Sequence, residues 1–190
     1  MSYYQIHGIS SKVSTVAYAP DELSCNPEIR EGIENDIRLP FSMRLYDVTV
    51  KNKLIVGDLS DCFYDYQPNS MAWPVMSEKM KSIIAAHLTG LEHIEWKEVI
   101  IHGKAESKTY YIPYFKMKLD VLNISETVIS PYGIIMIPCF DKEKVKGLSV
   151  FHCPGFDWRV PLTVYVNEKI KKDLIKSGIP ELSFSRAQVM

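Results

Sequence analysis

The chain has 190 residues, a net charge of −1 and an apolar fraction of 46%. This length suits one domain, and this apolar fraction allows a sizeable hydrophobic core. A nearly neutral chain lacks the basic excess that phosphate binding requires, which excludes a general nucleic-acid-binding protein.

The first part of the chain predicts two hairpins and one helix. Short stretches rich in β-branched and aromatic residues between residues 3 and 19 predict a hairpin. A helix is expected at 26–37, because an asparagine cap is followed by a proline and an acidic residue in the first turn. Two further short runs, 45–50 and 53–56, predict a second hairpin.

An acidic excess is found at residues 21–65, with ten acidic and five basic side chains. Such a segment is usually a solvated face, and the alternative is a docking surface for a basic partner. The candidate contact residues in this segment are Glu28, Glu31, Glu34, Asp58, Asp61 and Asp65.

Two aromatic stretches, 61–74 and 154–159, are predicted to be loops. They concentrate aromatic and charged side chains, including residue types that anchor protein interfaces. Each loop either folds its aromatic side chains back over the core or presents them to a partner, and the sequence leaves both alternatives open. The candidate partner-binding residues here are Tyr64, Tyr66, Trp73, Phe156, Asp157, Trp158 and Arg159.

One phrase occurs twice: SEKMK at 77–81 returns as NEKIK at 167–171. In each unit a capping side chain begins a predicted helix, a glycine (Gly90 or Gly178) ends it, and an apolar-polar-aromatic triplet follows. Two unrelated helices with common starting residues are the alternative to a repeat. The side chains expected to be buried are Met80, Ile83, Ile84 and Leu88 in the first helix, and Ile170, Leu174 and Ile175 in the second.

The remaining β-branched runs predict strands between and around these helices. Strands and helices mix without strict alternation, which favours an α+β fold over a doubly wound parallel sheet. We expect mixed, mostly antiparallel sheets with about three short helices. The predicted strands lie at 97–102, 109–122, 133–137, 148–153 and 160–166.

The domain organisation follows from the length and the repeat. We predict a single domain over residues 1–190, with two similar helix–strand units at 73–101 and 160–188. The alternative is an N-terminal subregion, 1–56, joined to a second region, 57–190.

No catalytic, metal-binding or cofactor-binding pattern is found in the sequence. The nucleophile elbow GxSxG and the phosphate loops GxxxxGK and GxGxxG are absent. His152 and Cys153 are neighbours in a predicted strand, so their side chains point to opposite faces and cannot form a dyad with each other. His87, His93 and His102 lack the spacing of metal ligands. We therefore predict no catalytic residue, no metal and no cofactor.

Cysteine usage and the first residues predict a cytoplasmic protein. The four cysteines show no CxxC pair and no regular spacing, which is typical of reduced thiols. The chain begins without a basic region followed by an apolar stretch, so we expect no signal peptide. The longest apolar run, 133–137, is far shorter than a membrane span, and no membrane association is expected.

The repeated units and the strands near them resemble the bacterial immunity proteins of polymorphic toxin systems. That family carries a phrase of the form [I/V]-S-E-[K/R]-apolar in each half, and Asn167 replaces the usual serine of the second phrase. The resemblance covers about residues 55–187. It is carried by WPVMSEK at 73–79, YYI at 110–112, LDVL at 119–122, VFH at 150–152 and NEK at 167–169.

The resemblance implies a non-catalytic inhibitor that binds one cognate secreted toxin domain and blocks its active site or substrate path. Many such toxins are nucleases with basic clefts, and the acidic segment 21–65 would suit electrostatic steering onto one. One alternative function is an enzyme that reverses a toxin's modification or acts on a small molecule. Another is a module that self-assembles through its repeats, and the oligomeric state stays open.

Overall fold

The computed structural model describes residues 2–9, 14–19, 42–47, 49–51, 54–56, 58–155 and 158–190. These residues form an α+β fold in which every strand pair except one is antiparallel. The described strands are β1 (Tyr3–Gly8), β2 (Thr15–Tyr18), β3 (Ser42–Asp47), β4 (Thr49–Lys51), β5 (Leu54–Val56), β6 (Tyr66–Gln67), β7 (Val75–Met76), β8 (Ile94–His102), β9 (Ser107–Phe115), β10 (Val128–Ile129), β11 (Ile135–Ile137), β12 (Val150–His152), β13 (Val164–Asn167) and β14 (Leu182–Arg186). The described helices are α1 (Glu78–Ala85) and α2 (Glu168–Lys176).

The strands form two larger sheets and two separate hairpins. One sheet has four strands in the order β12-β13-β1-β14, and the other has six in the order β2-β3-β8-β9-β7-β6. Strands β4 and β5 pair only with each other in the described structure, and so do β10 and β11. The exception to antiparallel pairing is β3 with β8. This arrangement agrees with the predicted α+β class.

The hairpin predicted between residues 3 and 19 is wrong. Strand β1 lies between β13 and β14 in the four-stranded sheet, whereas β2 pairs with β3 in the six-stranded sheet. Local sequence cannot separate a hairpin from two strands that pair with distant segments, because both show the same apolar alternation. The second predicted hairpin is confirmed by the pairing of β4 with β5, although residues 45–47 belong to β3.

Several predicted boundaries differ from the observed ones. The strand predicted at 109–122 ends at Phe115, whose N–H donates to the carbonyl of Arg159 in another loop rather than to a strand. Two helices lie in the described residues where about three were predicted, and the third prediction, 26–37, falls outside those residues. Neither described helix is long and apolar enough to cross a membrane.

The two repeated segments have the same strand arrangement. Strand β7, helix α1 and strand β8 form one strand–helix–strand unit, and β13, α2 and β14 form the other. In each unit the two strands run parallel with one antiparallel strand between them, β9 in the first unit and β1 in the second. The central strand of the first unit, β9, directly follows β8 in the chain. The central strand of the second unit, β1, comes far before β13, so comparing consecutive segments of the sequence does not reveal it.

The central strands also have the same register in the two units. Each central strand pairs with its flanking strands at matching positions: the central strands differ by 107 residues, the strands before the helices by 90 and those after the helices by 88. The equivalent pairs include Met76–Tyr111 with Val166–Tyr4, Trp96–Pro113 with Phe184–Ile6, and Ile94–Phe115 with Leu182–Gly8.

The apolar faces of both helices meet in one core between the units. Met80 and Ile84 of α1 and Ile170 and Leu174 of α2 are all at most 1% exposed, and they occupy equivalent positions. The predicted burial of Ile175 is wrong, since its side chain is 57% exposed. At 3.6 residues per turn, the residue after Leu174 points about 100° away from the buried face.

Both helices begin as predicted, and one ends differently. The side chain of Ser77 accepts the N–H of Met80, and that of Asn167 accepts the N–H of Ile170. Gly178 directly follows Ser177, the C-cap of α2, and has a φ of 73°. Gly90 also has a positive φ, 89°, but α1 has already ended at Ala85.

Two buried glutamates link the units reciprocally. Glu92, in the loop before β8, is 0% exposed and accepts the N–H of Ser149, just before β12, at 2.7 Å. Glu181, in the loop before β14, is 2% exposed and accepts the N–H of Tyr66 in β6 at 3.0 Å. Since a buried carboxylate needs donors, these bonds hold each loop against the sheet that contains the other unit.

Candidate functional site

The repeated phrase builds a surface cluster beside α1. Tyr111 of β9 donates a hydrogen bond to Glu78, which together with the burial of the ring raises the pKa of Tyr111 to about 12. The ammonium of Lys81 lies 3.6 Å from the centroid of the same ring. The glutamate and the second lysine of the phrase thus attach the helix to the central strand.

The second unit contains the equivalent cluster. Tyr4 of β1 donates a hydrogen bond of 2.6 Å to Glu168, and this bond is the main reason that the pKa of Tyr4 is raised. Lys171 Nζ lies 3.6 Å from the Tyr4 ring centroid. The same three side-chain types therefore meet in both units, and the repeated phrase stabilises the scaffold.

Asp61 holds the turn between β8 and β9. Its carboxylate accepts the N–H of Ala105 at 2.9 Å and that of Glu106 at 3.3 Å. The bond from Ala105 is the largest cause of the lowered pKa of Asp61. Any side chain at Gly103 would contact this carboxylate, which explains the glycine there. Asp61 is consequently a fully ionised, fixed and exposed charge.

Asp65 has a different environment. Its carboxylate accepts the hydroxyl proton of Ser77, the residue that caps α1. Lys79 Nζ lies 3.4 Å from the other oxygen of this carboxylate. Asp65 therefore orients the start of the helix, and replacing it would disturb the scaffold.

Asp58 lies in an exposed turn together with Asp61. Its backbone carbonyl accepts the N–H of Asp47 at 3.0 Å, while its side chain is exposed. Leu59, 37% exposed, and Cys62 lie in the same turn. We call residues 58–62 the acidic turn. It presents two carboxylates around one accessible apolar side chain.

The aromatic residues of 61–74 are mostly used by the core. Tyr66 packs against the core between the units, and burial raises its pKa to about 12. Phe63 and Trp73 pack against the buried face of the six-stranded sheet. The hydroxyl of Tyr64 accepts the N–H of Ser14 at 3.0 Å. The sequence left open whether this loop packs its aromatic side chains on the core or presents them to a partner. Tyr66 and Trp73 pack on the core.

The second aromatic loop also turns inward where it is described. The Trp158 ring stacks on His152 with the centroids 6.1 Å apart, and the Arg159 guanidinium lies 4.8 Å from the Trp158 ring. Phe156 and Asp157 lie outside the described residues, as do Glu28, Glu31 and Glu34, so their predicted roles stay predictions.

The histidines occupy separate places. His87 Nε2 lies 2.7 Å from an Asp173 carboxylate oxygen and joins the end of α1 to α2. His102 lies next to Ser107 at the open end of β8 and β9. Within the described ranges, no three His, Cys, Asp or Glu side chains are close enough to hold a metal ion together.

His152 is buried in an apolar environment. It is 0% exposed, Nδ1 lies 3.1 Å from the carbonyl oxygen of Cys153, and Nε2 has no partner among the described residues. Because a carbonyl oxygen can only accept, Nδ1–H is the donor of this bond. Burial is the main cause that lowers the pKa of His152 below its usual value.

This burial predicts a stability loss in acid. The unfolded chain binds a proton at His152 near pH 6.5, whereas the folded chain binds it only at lower pH. The free energy of unfolding should therefore fall as the pH drops below about 6.5. Urea unfolding of a His152→Phe variant should show a weaker pH dependence than the wild type. His102→Gln, an exposed control, should keep it, and equal slopes for the wild type and His152→Phe would contradict the prediction.

The hairpin β10–β11 carries an exposed apolar surface that the sequence-based site prediction missed. Only a strand at 133–137 was predicted there. The available signal was a run of twelve residues, 127–138, without any charged side chain. Its exposed large apolar side chains are Val128, Ile129, Tyr132, Ile134, Met136 and Ile137.

The sequence matches no protein-family model, and it matches no curated protein. The resemblance to immunity proteins therefore stays a prediction that depends on short motifs.

Proposed function

We propose that this protein is a non-catalytic immunity protein that binds one cognate bacterial toxin domain and blocks its active site or the access of its substrate. The acidic turn, residues 58–62, is the surface proposed to meet the toxin. The observation that carries this proposal is the Asp61 carboxylate, which is exposed and yet fixed by two backbone N–H groups.

A fixed and ionised carboxylate suits the recognition of a basic surface. The lowered pKa of Asp61 keeps its negative charge across the physiological pH range. Because the backbone already orients this group, binding costs little additional side-chain entropy. Exposed charges chiefly increase the association rate, and a toxin that acts on nucleic acid needs a basic cleft for its substrate. An acidic turn placed against that cleft would compete with the phosphates.

The two strand–helix–strand units serve as the scaffold in this proposal. We propose that they are two copies of one structural motif, supported by their equal strand order and register. The repeated residues are used as caps, tyrosine contacts and core side chains. Asp58 lies outside the repeated phrase and is exposed, so its identity can follow the partner without changing the scaffold, whereas Asp61 also holds the turn between β8 and β9.

The test is the association of this chain with an inactive form of the toxin domain encoded beside it. The Asp58→Lys variant changes the acidic turn without removing the bonds of Asp61 or Asp65. We expect its association rate constant to fall several-fold and to depend less on salt, with little change in dissociation. Stopped-flow kinetics at low and moderate salt would measure both rates.

Glu143→Lys is the matched control for charge. It makes the same charge change in a loop outside the acidic turn, where the side chain of Glu143 forms an exposed ion pair with Lys146. Its kinetics should stay close to those of the wild type. Unchanged kinetics of Asp58→Lys would remove the acidic turn from the proposal. Absence of any binding between wild-type chain and toxin domain would overturn the function itself.

A further inference from the structure

Strands β2 and β3 carry an aromatic pair on their outer face. Ala17, Met43 and Leu45 are at most 1% exposed and mark the inner face of this strand pair. Because side chains alternate between the two faces of a sheet, Tyr18 and Tyr46 lie on the outer face, where both are partly exposed. Their rings meet edge to face with the centroids 5.9 Å apart. None of the hydrophobic clusters that the described residues form includes either ring, so packing of the core does not explain the pair.

The acidic turn is joined to this outer face. Leu59 forms an antiparallel bridge with Tyr46, and a backbone hydrogen bond of 3.0 Å flanks the bridge on each side. Bridge partners point to the same face of a sheet, and their side chains are closest at a pair that lies between hydrogen bonds. Leu59 therefore continues the line of Tyr18 and Tyr46 on one face. We call these three residues the aromatic row.

Charged side chains of opposite sign flank the aromatic row. Asp58 and Asp61 lie close to Leu59 in the acidic turn, and both are exposed. Arg44 is exposed on β3, directly opposite Tyr18 on β2. An aromatic centre with a charged border is the composition of a protein interface, and tyrosine is enriched among the residues that contribute most binding energy. The opposite signs at the two ends favour one orientation of a partner.

We infer that the aromatic row is the centre of the toxin-binding surface, with Tyr18 and Tyr46 as its anchors and the acidic turn as its border. This inference rests on the proposed function. The partner that fits is a folded domain with apolar side chains opposite the row and basic side chains opposite Asp58 and Asp61. Charges at a border mainly increase the association rate, whereas buried aromatic anchors mainly decrease the dissociation rate. The row should therefore determine how long the complex lasts.

Dissociation kinetics with the inactive toxin domain test the inference. Tyr46→Ala should increase the dissociation rate constant at least about tenfold and change the association rate constant less than about threefold. Tyr46→Phe keeps the ring and should stay within about threefold of the wild type in both rates. Tyr18→Ala removes the other ring of the pair and should also accelerate dissociation. Circular dichroism during thermal unfolding verifies that each variant is folded.

Tyr132→Ala is the matched control. It removes a tyrosine that is 88% exposed, in the turn between β10 and β11, and its kinetics should equal those of the wild type. Unchanged dissociation in both Tyr46→Ala and Tyr18→Ala overturns the inference and leaves the proposed function intact. Absence of binding by the wild-type chain overturns both.

Sedimentation velocity of the chain alone tests the other occupant of this face. A surface with opposite charges at its two ends can also meet a second copy in a twofold arrangement. We expect the isolated chain to sediment in the same way with and without the Tyr46→Ala substitution. A dimer that this substitution abolishes would assign the aromatic row to self-association and overturn the inference.

Discussion

The Leu174→Ala variant should lose about 3 kcal/mol of the free energy of unfolding. Leu174 is 0% exposed and lies in the core that both helices share with the strands around them. Alanine removes the apolar contacts and leaves a cavity, which the surrounding helices and strands can fill only in part because strand pairing holds them in place. A protein of this size should melt about 10 °C lower.

The neighbouring residue supplies the control for this prediction. Ile175 is 57% exposed, so Ile175→Ala should change the free energy of unfolding by less than about 0.5 kcal/mol. Urea unfolding followed by circular dichroism measures both variants, with an unchanged m value as the sign that only stability differs. Equal losses for the two variants would mean that the orientation of α2 described above is incorrect.

The Glu92→Ala variant should be destabilised by about 2 kcal/mol, since it removes the acceptor for the buried N–H of Ser149. Glu92 accepts the N–H of Ser149 at 2.7 Å and both the N–H and the hydroxyl of Thr89 at 2.9 Å. Without the carboxylate, the buried N–H of Ser149 loses its acceptor, whereas Thr89 is exposed and can donate to water. Because Ser149 precedes β12, the loss should loosen the contact between the units.

Amide hydrogen exchange separates this local effect from a general loss of stability. The Ser149 amide should exchange faster in Glu92→Ala by more than the change in global stability explains. Glu92→Gln should lie between the wild type and the alanine variant, because its single carbonyl oxygen can replace only one carboxylate oxygen. Glu98→Ala, at an exposed position of β8, should stay near the wild type. An unchanged Ser149 amide in Glu92→Ala would show that this hydrogen bond does not link the units.

Local patterns along the chain predicted the helices well. Ser77 and Asn167 cap them because a short polar side chain can satisfy free N–H groups wherever a helix begins, independent of the rest of the fold. Of the predicted stripe, Met80, Ile84, Ile170 and Leu174 are buried, Ile83 and Leu88 are partly buried, and Ile175 is exposed. Two adjacent apolar residues, Leu174 and Ile175, both fit a helical stripe, and only the packing of α2 decides which one is buried.

Strand pairing was predicted less well. The apolar alternation in residues 3–8 predicts a strand but contains no information on its neighbours, and β1 in fact completes the second unit from the opposite end of the chain. The structure also adds roles for two of the candidate site residues. Asp61 and Asp65 were both expected at a docking surface. Asp65 accepts a hydrogen bond from Ser77, the cap of α1, whereas Asp61 holds the turn between β8 and β9 and remains exposed.

The amino-acid sequence alone determined the class of the fold, the two helix starts and the doubled phrase, because these depend on contacts between residues close together in the chain. Only the tertiary structure decided that β1 replaces a missing strand of the second unit, that Glu92 and Glu181 join the two units, and that an uncharged hairpin stays exposed. Those features depend on contacts between residues far apart in the chain. Such contacts form because the whole core buries apolar surface, and no local pattern of residues predicts them.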